Sequence, residues 1–217
     1  MFNNFREWEM ERCGKFTASE IYKLISKGRN ANDYFSKEGQ TYIRQKAAEI
    51  LTMELSNGGR SNMPAMEWGN ANEFDAVERF KKETGLEVEY FGGANPKFFE
   101  RTPFSGGSPD GIGEDFIIEV KCPFNSGEHL THLMLEDVFA LKDYYPEAYW
   151  QMMFNMIVTG KPKAYFISFD PRYADELLQI KIISFELQIG DDALLIERLN
   201  EAEKQLADLI TKARKII

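Results

Sequence analysis

The chain is poor in the residues that staple or metallate small proteins: it has only Cys13, Cys122, His129 and His132 in 217 residues. Two cysteines far apart in sequence form neither a disulfide framework nor a four-cysteine cluster site. A reducing, cytoplasmic location is therefore the default expectation. His129 and His132 stand at i, i+3, but no third ligand is evident nearby, so they read as the polar face of a helix rather than a metal site. No apolar run reaches membrane-spanning length, and Met1-Phe2-Asn3-Asn4 does not begin a signal peptide. Excess base is missing too: 26 Lys and Arg stand against 35 Asp and Glu, a net charge of −9. That balance excludes a protein coated in positive potential, so any contact with nucleic acid must be local and partly metal-mediated.

What is present suits a packed enzyme. Aromatic residues make up 13% of the chain, and its length fits one domain, residues 1–217, with a sizeable core. Phe5 to Arg12 reads as a short helix. Thr17-Ala18-Ser19-Glu20 has the form of a capping box, in which Thr17 caps a helix and Glu20 reaches back to it. That helix turns Ile21, Leu24 and Ile25 inward and ends before Gly28. A longer helix is expected from Asn32 or Asp33 to about Leu55, with Tyr34, Ile43, Ala47, Ile50 and Leu51 as its apolar stripe. Ser56 to Asn62 is a loop, and Pro64 opens a helix that stops at Gly85. On that helix Glu73 occupies the same stripe as Val77 and Phe80. A carboxylate there needs a partner; the alternatives are a functional role, snorkelling, or pairing with Arg79 or Lys81. Strands are expected near Leu86–Phe91, Pro96–Glu100, Phe104–Ser108 and Asp115–Lys121. A helical or mixed segment spans Ser126 to Tyr145, followed by a helix from Pro146 to Thr159. Strands at Ala164–Phe169 and Leu178–Leu187 precede a final helix capped by Asp191. The order indicates a mixed α/β domain with helices flanking a central sheet.

Ser108 to Phe124, reading SPDGIGEDFIIEVKCPF, carries the chemistry. Asp110, between Pro109 and Gly111, is expected at a turn with its carboxylate projecting freely. Side chains alternate along the following strand, so Glu119 and Lys121 share one face while Ile118 and Val120 take the other. Two carboxylates and an ammonium in an apolar matrix are costly to bury unless a metal or a substrate uses them. Oxygen-only ligands suit Mg²⁺, and a lysine beside it can orient or deprotonate a water. The competing interpretation of so short a pattern is a hairpin with a surface Glu/Lys pair.

Six blocks in order resemble the lambda-exonuclease-type phage recombination nucleases, the YqaJ-like viral recombinases of the PD-(D/E)xK superfamily. They are Trp8…Arg12…Phe16-Thr17-Ala18-Ser19-Glu20, Glu67-Trp68-Gly69-Asn70-Ala71-Asn72-Glu73, Ser108-Pro109-Asp110-Gly111, Ile118-Glu119-Val120-Lys121-Cys122-Pro123, Tyr149-Trp150-Gln151 and Tyr165-Phe166…Asp170-Pro171-Arg172. The resemblance implies a restriction-endonuclease-like core and a 5′→3′ exonuclease acting on linear double-stranded DNA. It makes Asp110, Glu119 and the Val120 carbonyl metal ligands for Mg²⁺, with Mn²⁺ able to substitute. Lys121 would position the water, Glu73 would be a further acidic active-site residue, and Gln151 would contact the water or the scissile phosphate. Arg12 and Ser19 match positions that hold a terminal 5′-phosphate, with Thr17 at the same helix start. It also implies a homotrimeric ring around duplex DNA, 3′ overhangs for recombination and a single-strand annealing partner. The rival readings are an endonuclease on the same core, a nuclease of the RecB/Cas4 kind, a non-catalytic DNA-end-binding module, and an α/β domain with an incidental motif. The missing cysteine quartet counts against the iron–sulfur form of the second.

Overall fold

The computed structural model describes residues 2–30, 33–56, 63–92 and 95–215, with side chains for all of these except 2–5 and 63. In chain order its elements are α1 (Phe2–Arg12), β1 (Phe16–Thr17), a 3₁₀ helix (Ala18–Leu24), α2 (Lys37–Thr52), α3 (Met63–Thr84), β2 (Glu89–Tyr90), β3 (Phe99–Thr102), β4 (Ser105–Gly107), β5 (Gly111–Ile112) and β6 (Phe116–Lys121). There follow α4 (Ser126–Leu133), α5 (Val138–Tyr144), α6 (Pro146–Thr159), β7 (Lys163–Phe169), a short 3₁₀ turn (Glu176–Leu178), β8 (Ile180–Glu186) and α7 (Asp191–Arg214).

Two strands are buried on both faces, and they set the architecture. In β6 and β7 almost every side chain is buried, the pattern of strands covered by helices on either side. They pair in parallel, joined through α4, α5 and α6, inside a five-stranded sheet of order β2-β5-β6-β7-β8 whose other pairings are antiparallel. One face carries Phe116, Ile118, Val120, Tyr165 and Ile167 onto Ala76, Val77 and Phe80 of α3. The other carries Ile117, Ala164 and Phe166 into the larger core built on α6, α2, α7 and the 3₁₀ helix. A small second sheet, β1-β4-β3, packs beside α6. Among the described residues no helix is long and apolar enough to cross a membrane.

Several sequence expectations change. The Thr17 side chain caps nothing, and Glu20 pairs with Lys23 instead of reaching back. The reason is tertiary: Phe16 and Thr17 pair with β4, and the Thr17 N–H is taken by the Tyr42 hydroxyl. The longer helix starts at Lys37, because Ser36 accepts from the Gly39 N–H while Asp33 is held in a loop by Gly28. Tyr34 therefore falls before the helix, and both Tyr34 and Leu51 are exposed rather than part of the stripe. Asn32, and Asn57 to Asn62 of the expected loop, lie outside the described residues. Gly190 rather than Asp191 is the last residue before α7, and Asp191 accepts from Lys142 and Tyr149. Gly85 and Gly160 end α3 and α6 with φ of +69° and +67°, where a side chain would be strained.

The small sheet approaches α6 closely at Gly107. A Cβ there would lie 2.2 Å from Asn155 Oδ1 and 3.2 Å from the Ala18 Cβ. Gly107→Ala should therefore destabilise the chain by about 1–3 kcal/mol through overpacking. A urea midpoint equal to that of the unsubstituted protein would contradict this.

Candidate active site

The alternation of β6 puts three side chains on the α6 side, Ile117, Glu119 and Lys121, the last within 3.5 Å of Gln151 Oε1 on α6. Glu119 is 1% exposed, and its Oε1 accepts from Lys121 Nζ at 2.7 Å. Its Oε2 is buried with no hydrogen-bond partner among the described residues. Asp110 differs from the expectation of a free turn residue. Its carbonyl accepts from the Phe91 N–H and its own N–H donates to the Ile118 carbonyl, which locks it between β2 and β6. Its Oδ2 takes the Val120 N–H at 2.6 Å. The bond ties the Asp110 carboxylate to the strand that carries Glu119.

Glu73 faces the same place from α3. Neither expected cation pairs with it: Arg79 binds Glu83 and Glu176, and Lys81 binds Glu78. Its partner is the Tyr90 hydroxyl. At the other end, Arg12 closes α1 with its guanidinium 4.2 Å above the Trp8 ring and Nη2 3.4 Å from Ser19 Oγ. Trp8 Nε1 donates to Ser108 Oγ at 2.9 Å, and Thr17 Oγ1 lies 3.4 Å from Ser19 Oγ. Among the described residues Arg12 forms no ion pair with Glu9 or Glu11, the competing expectation for it.

All nine residues singled out from the sequence line one cleft of about 290 Å³: Arg12, Thr17 and Ser19 with Glu73, Asp110, Glu119, Val120, Lys121 and Gln151. His129 and His132 are not among them. They are buried rather than on a polar face, and both bond Ser168. Sequence reasoning missed Tyr90, Lys97 and Phe98 as contributors to the cleft and its carboxylates. The aromatic–basic interleaving of Tyr90-Phe91 and Lys97-Phe98-Phe99 was the available signal. The Lys97 ammonium sits 4.9 Å from Phe91 and 5.1 Å from Phe99.

The electrostatics are those of too many carboxylates in too little water. Burial, then the Asp110 charge, pushes Glu119 up to about 8. The same two causes push Glu73 up to about 7. Burial also raises Asp110, against the pull of Lys121. Burial would discharge Lys121, but Glu119, Tyr145 and Asp110 together outweigh it and hold the ammonium above its ordinary range. One ammonium cannot neutralise three carboxyls, so the site has room for another cation. Among the described residues no three His, Cys, Asp or Glu side chains form a ready cage. Mg²⁺ does not require one: it keeps several waters and takes one or two carboxylates. The all-oxygen donor set and the partnerless Glu119 Oε2 fit such an ion.

A mixed sheet flanked by helices, with a carboxylate pair and a lysine at the end of its central strands, defines a nuclease of the restriction-endonuclease-like fold. Residues 7–162 match the YqaJ-like viral recombinase domain, and the chain belongs to that family. Its structure is similar to that of an alkaline exonuclease from Laribacter hongkongensis, at 26% identity and a TM-score of 0.73 over 98% of this chain and 100% of that one. The same enzyme in complex with dAMP matches equally well. A phage-related exonuclease from Haemophilus somnus 129PT shares the fold at 17% identity, with a TM-score of 0.70 over 92% of this chain and 96% of that one. No curated protein sequence is significantly similar to the chain.

The raised Glu119 carboxyl sets a pH signature. A carboxyl with a raised folded-state pKa contributes stability below its unfolded value, and that contribution is lost as pH rises to about 8. In metal-free buffer, Glu119→Gln should remove this loss, so its melting temperature should gain on the parent's between pH 5 and pH 9. Parallel melting curves across that range would refute the assignment.

Proposed function

We propose that the chain, working as one nuclease domain, is a metal-dependent exonuclease that degrades the 5′-ended strand of linear duplex DNA and leaves 3′ overhangs. One observation carries this: a cationic, hydroxyl-lined pocket at Arg12 and Ser19 opens into the same cleft as Asp110, Glu119 and Lys121. A terminal phosphate held in the first would set the next phosphodiester at the second. The mononucleotide dAMP bound to the Laribacter enzyme supports a site of that scale.

Asp110, Glu119 and the Val120 carbonyl would hold Mg²⁺, or Mn²⁺ in its place, supplying phosphate neutralisation and a water of lowered pKa. Lys121 remains protonated beside Glu119, so it acts as a donor that orients the attacking water and the phosphate oxygens. Gln151 fixes Lys121 from α6. Glu73 faces the same cleft from α3 and would serve as a further acidic residue beside the metal. Arg12 grips the terminal phosphate with a forked guanidinium already oriented by Trp8 and Ser19.

Linear duplex with 5′-phosphate ends should be degraded in Mg²⁺ much faster than the same duplex with 5′-hydroxyl ends. Arg12→Ala should erase most of that difference, and Lys121→Ala should lose activity on both by orders of magnitude. Cutting of closed circles, or equal rates on the two kinds of end, would point to an endonuclease and overturn the reading.

The proposed assembly is a homotrimeric ring. A closed ring would let a chain of net charge −9 hold DNA topologically, without an extensive basic face. Overhangs made this way would suit a single-strand annealing partner. Light scattering should report three chains per particle; a stable monomer at micromolar concentration would defeat the ring but not the nuclease.

A further inference from the structure

Beyond Lys121 lies a second cavity of about 400 Å³, whose walls include Phe124, Glu128, His132 and Tyr145. Lys121 lines both this cavity and the catalytic cleft. Its polar groups can be assigned hydrogen by hydrogen. His129 Nε2 lies 2.8 Å from the Leu178 carbonyl, which only accepts, so that nitrogen carries the proton. His129 Nδ1 is then an acceptor and takes the Ser168 hydroxyl proton at 2.8 Å. Ser168 Oγ in turn accepts from His132 Nδ1–H, also at 2.8 Å. The chain ends with a bare lone pair on His132 Nε2.

That nitrogen is buried with no hydrogen-bond partner among the described residues, and the residue is 1% exposed. It stands 3.5 Å from Glu128 Oε1, which is another acceptor. The Tyr144 hydroxyl reaches Glu128 at 3.2 Å and leaves the imidazole unserved. Burial holds the His132 pKa down at about 4, so protonation does not fill the lone pair near neutral pH. Two adjacent acceptors in a cavity call for a ligand that brings N–H groups. Flat apolar surface is also present: the Tyr145 ring stacks on His132, centroids 5.8 Å apart and 10° from parallel, and Phe124 is 52% exposed.

We propose that this cavity receives the nucleobase immediately 3′ of the scissile phosphate, with His132 Nε2 and Glu128 accepting its exocyclic amino group. The assignment rests on the exonuclease reading, since the phosphate bound at Lys121 is what leads the strand from one cavity into the other. Adenine, cytosine and guanine carry an amino group that a carboxylate can accept from, whereas thymine presents a carbonyl in its place. Aromatic side chains add stacking that any base can use. A metal ion is a poorer occupant, because no third His, Cys, Asp or Glu joins this pair among the described residues.

The test is single-turnover release of the first nucleotide from 5′-phosphorylated linear duplexes that differ only at the second nucleotide. Adenine, thymine and a purine lacking the 6-amino group are compared there, so adenine and thymine keep the same base pair. Adenine should be about five- to tenfold faster than the other two, in the range of one discriminating base contact. Glu128→Ala, a partly exposed position, should make all three rates equal; His132→Phe should do the same if it folds. Equal rates in the unsubstituted protein would show a cavity filled by water and overturn the subsite. A preference that survives Glu128→Ala would place its origin elsewhere and overturn it too. Failure to cleave any duplex would sink the nuclease reading itself.

Discussion

A carboxylate buried in the middle of a sheet is the constraint on which the rest of this structure depends. Glu119 is enclosed on a strand whose neighbours are Ile117, Ile118 and Val120, with one oxygen paired and one left bare. An unpaired buried charge is among the most expensive things a fold can contain. Lys121, two residues on, offsets part of that cost because a strand's period of two brings it to the same face. Asp110 makes the charge imbalance worse, yet the Val120 N–H holds it there. The arrangement is unfavourable without another cation, and that tension suits a site assembled to bind one.

The two helical layers have separate parts in maintaining that tension. α3 seals one face of β6 with Ala76, Val77 and Phe80 and delivers Glu73 from the same surface. α6 seals the other and delivers Gln151 from a helix whose Met152, Met153, Phe154 and Met156 are all buried. Glu73 and Gln151 thus ride on helices anchored by apolar neighbours, which fixes where they enter the cleft. The Arg12 end is built differently, from the end of α1, β1 and the 3₁₀ helix that follows it. Its cation is held by stacking on Trp8 and by the Ser19 hydroxyl, and among the described residues no carboxylate pairs with it, so its charge stays available to an anion.

The region after β6 is fastened with equal care. Arg172 donates to the carbonyls of Pro123 and Phe124, pairs with the buried Asp170, and lies 4.1 Å from the centre of the Trp68 ring. It thereby joins the segment following Lys121 to α3 and to the end of β7. Ser168, the parallel-register partner of Lys121, anchors the two histidines of α4. The segment that follows Lys121 is thus fastened by residues that come later in the chain.

The motif at Asp110, Glu119 and Lys121, the strand periodicity around it and the helices bounded by Pro64, Gly85, Pro146 and Gly160 were legible in the sequence. Alternation, proline and glycine act through neighbours a few residues apart, and such signals survive in a linear string. Glu73 was legible as an anomaly on an apolar stripe, but its partner Tyr90 was not, since nothing local links them. The capping box at Thr17 was a local signal that lost to long-range pairing: the backbone N–H it would have served belongs to Tyr42 and its strand to β4. The two histidines read as the polar face of a helix because a spacing of three says nothing of what a helix faces. Sequence by itself determined which groups carry charge and which strand holds them. Only the tertiary structure decided how deeply they are buried and which distant side chains they meet, and those two quantities set their proton affinities and hydrogen-bond partners.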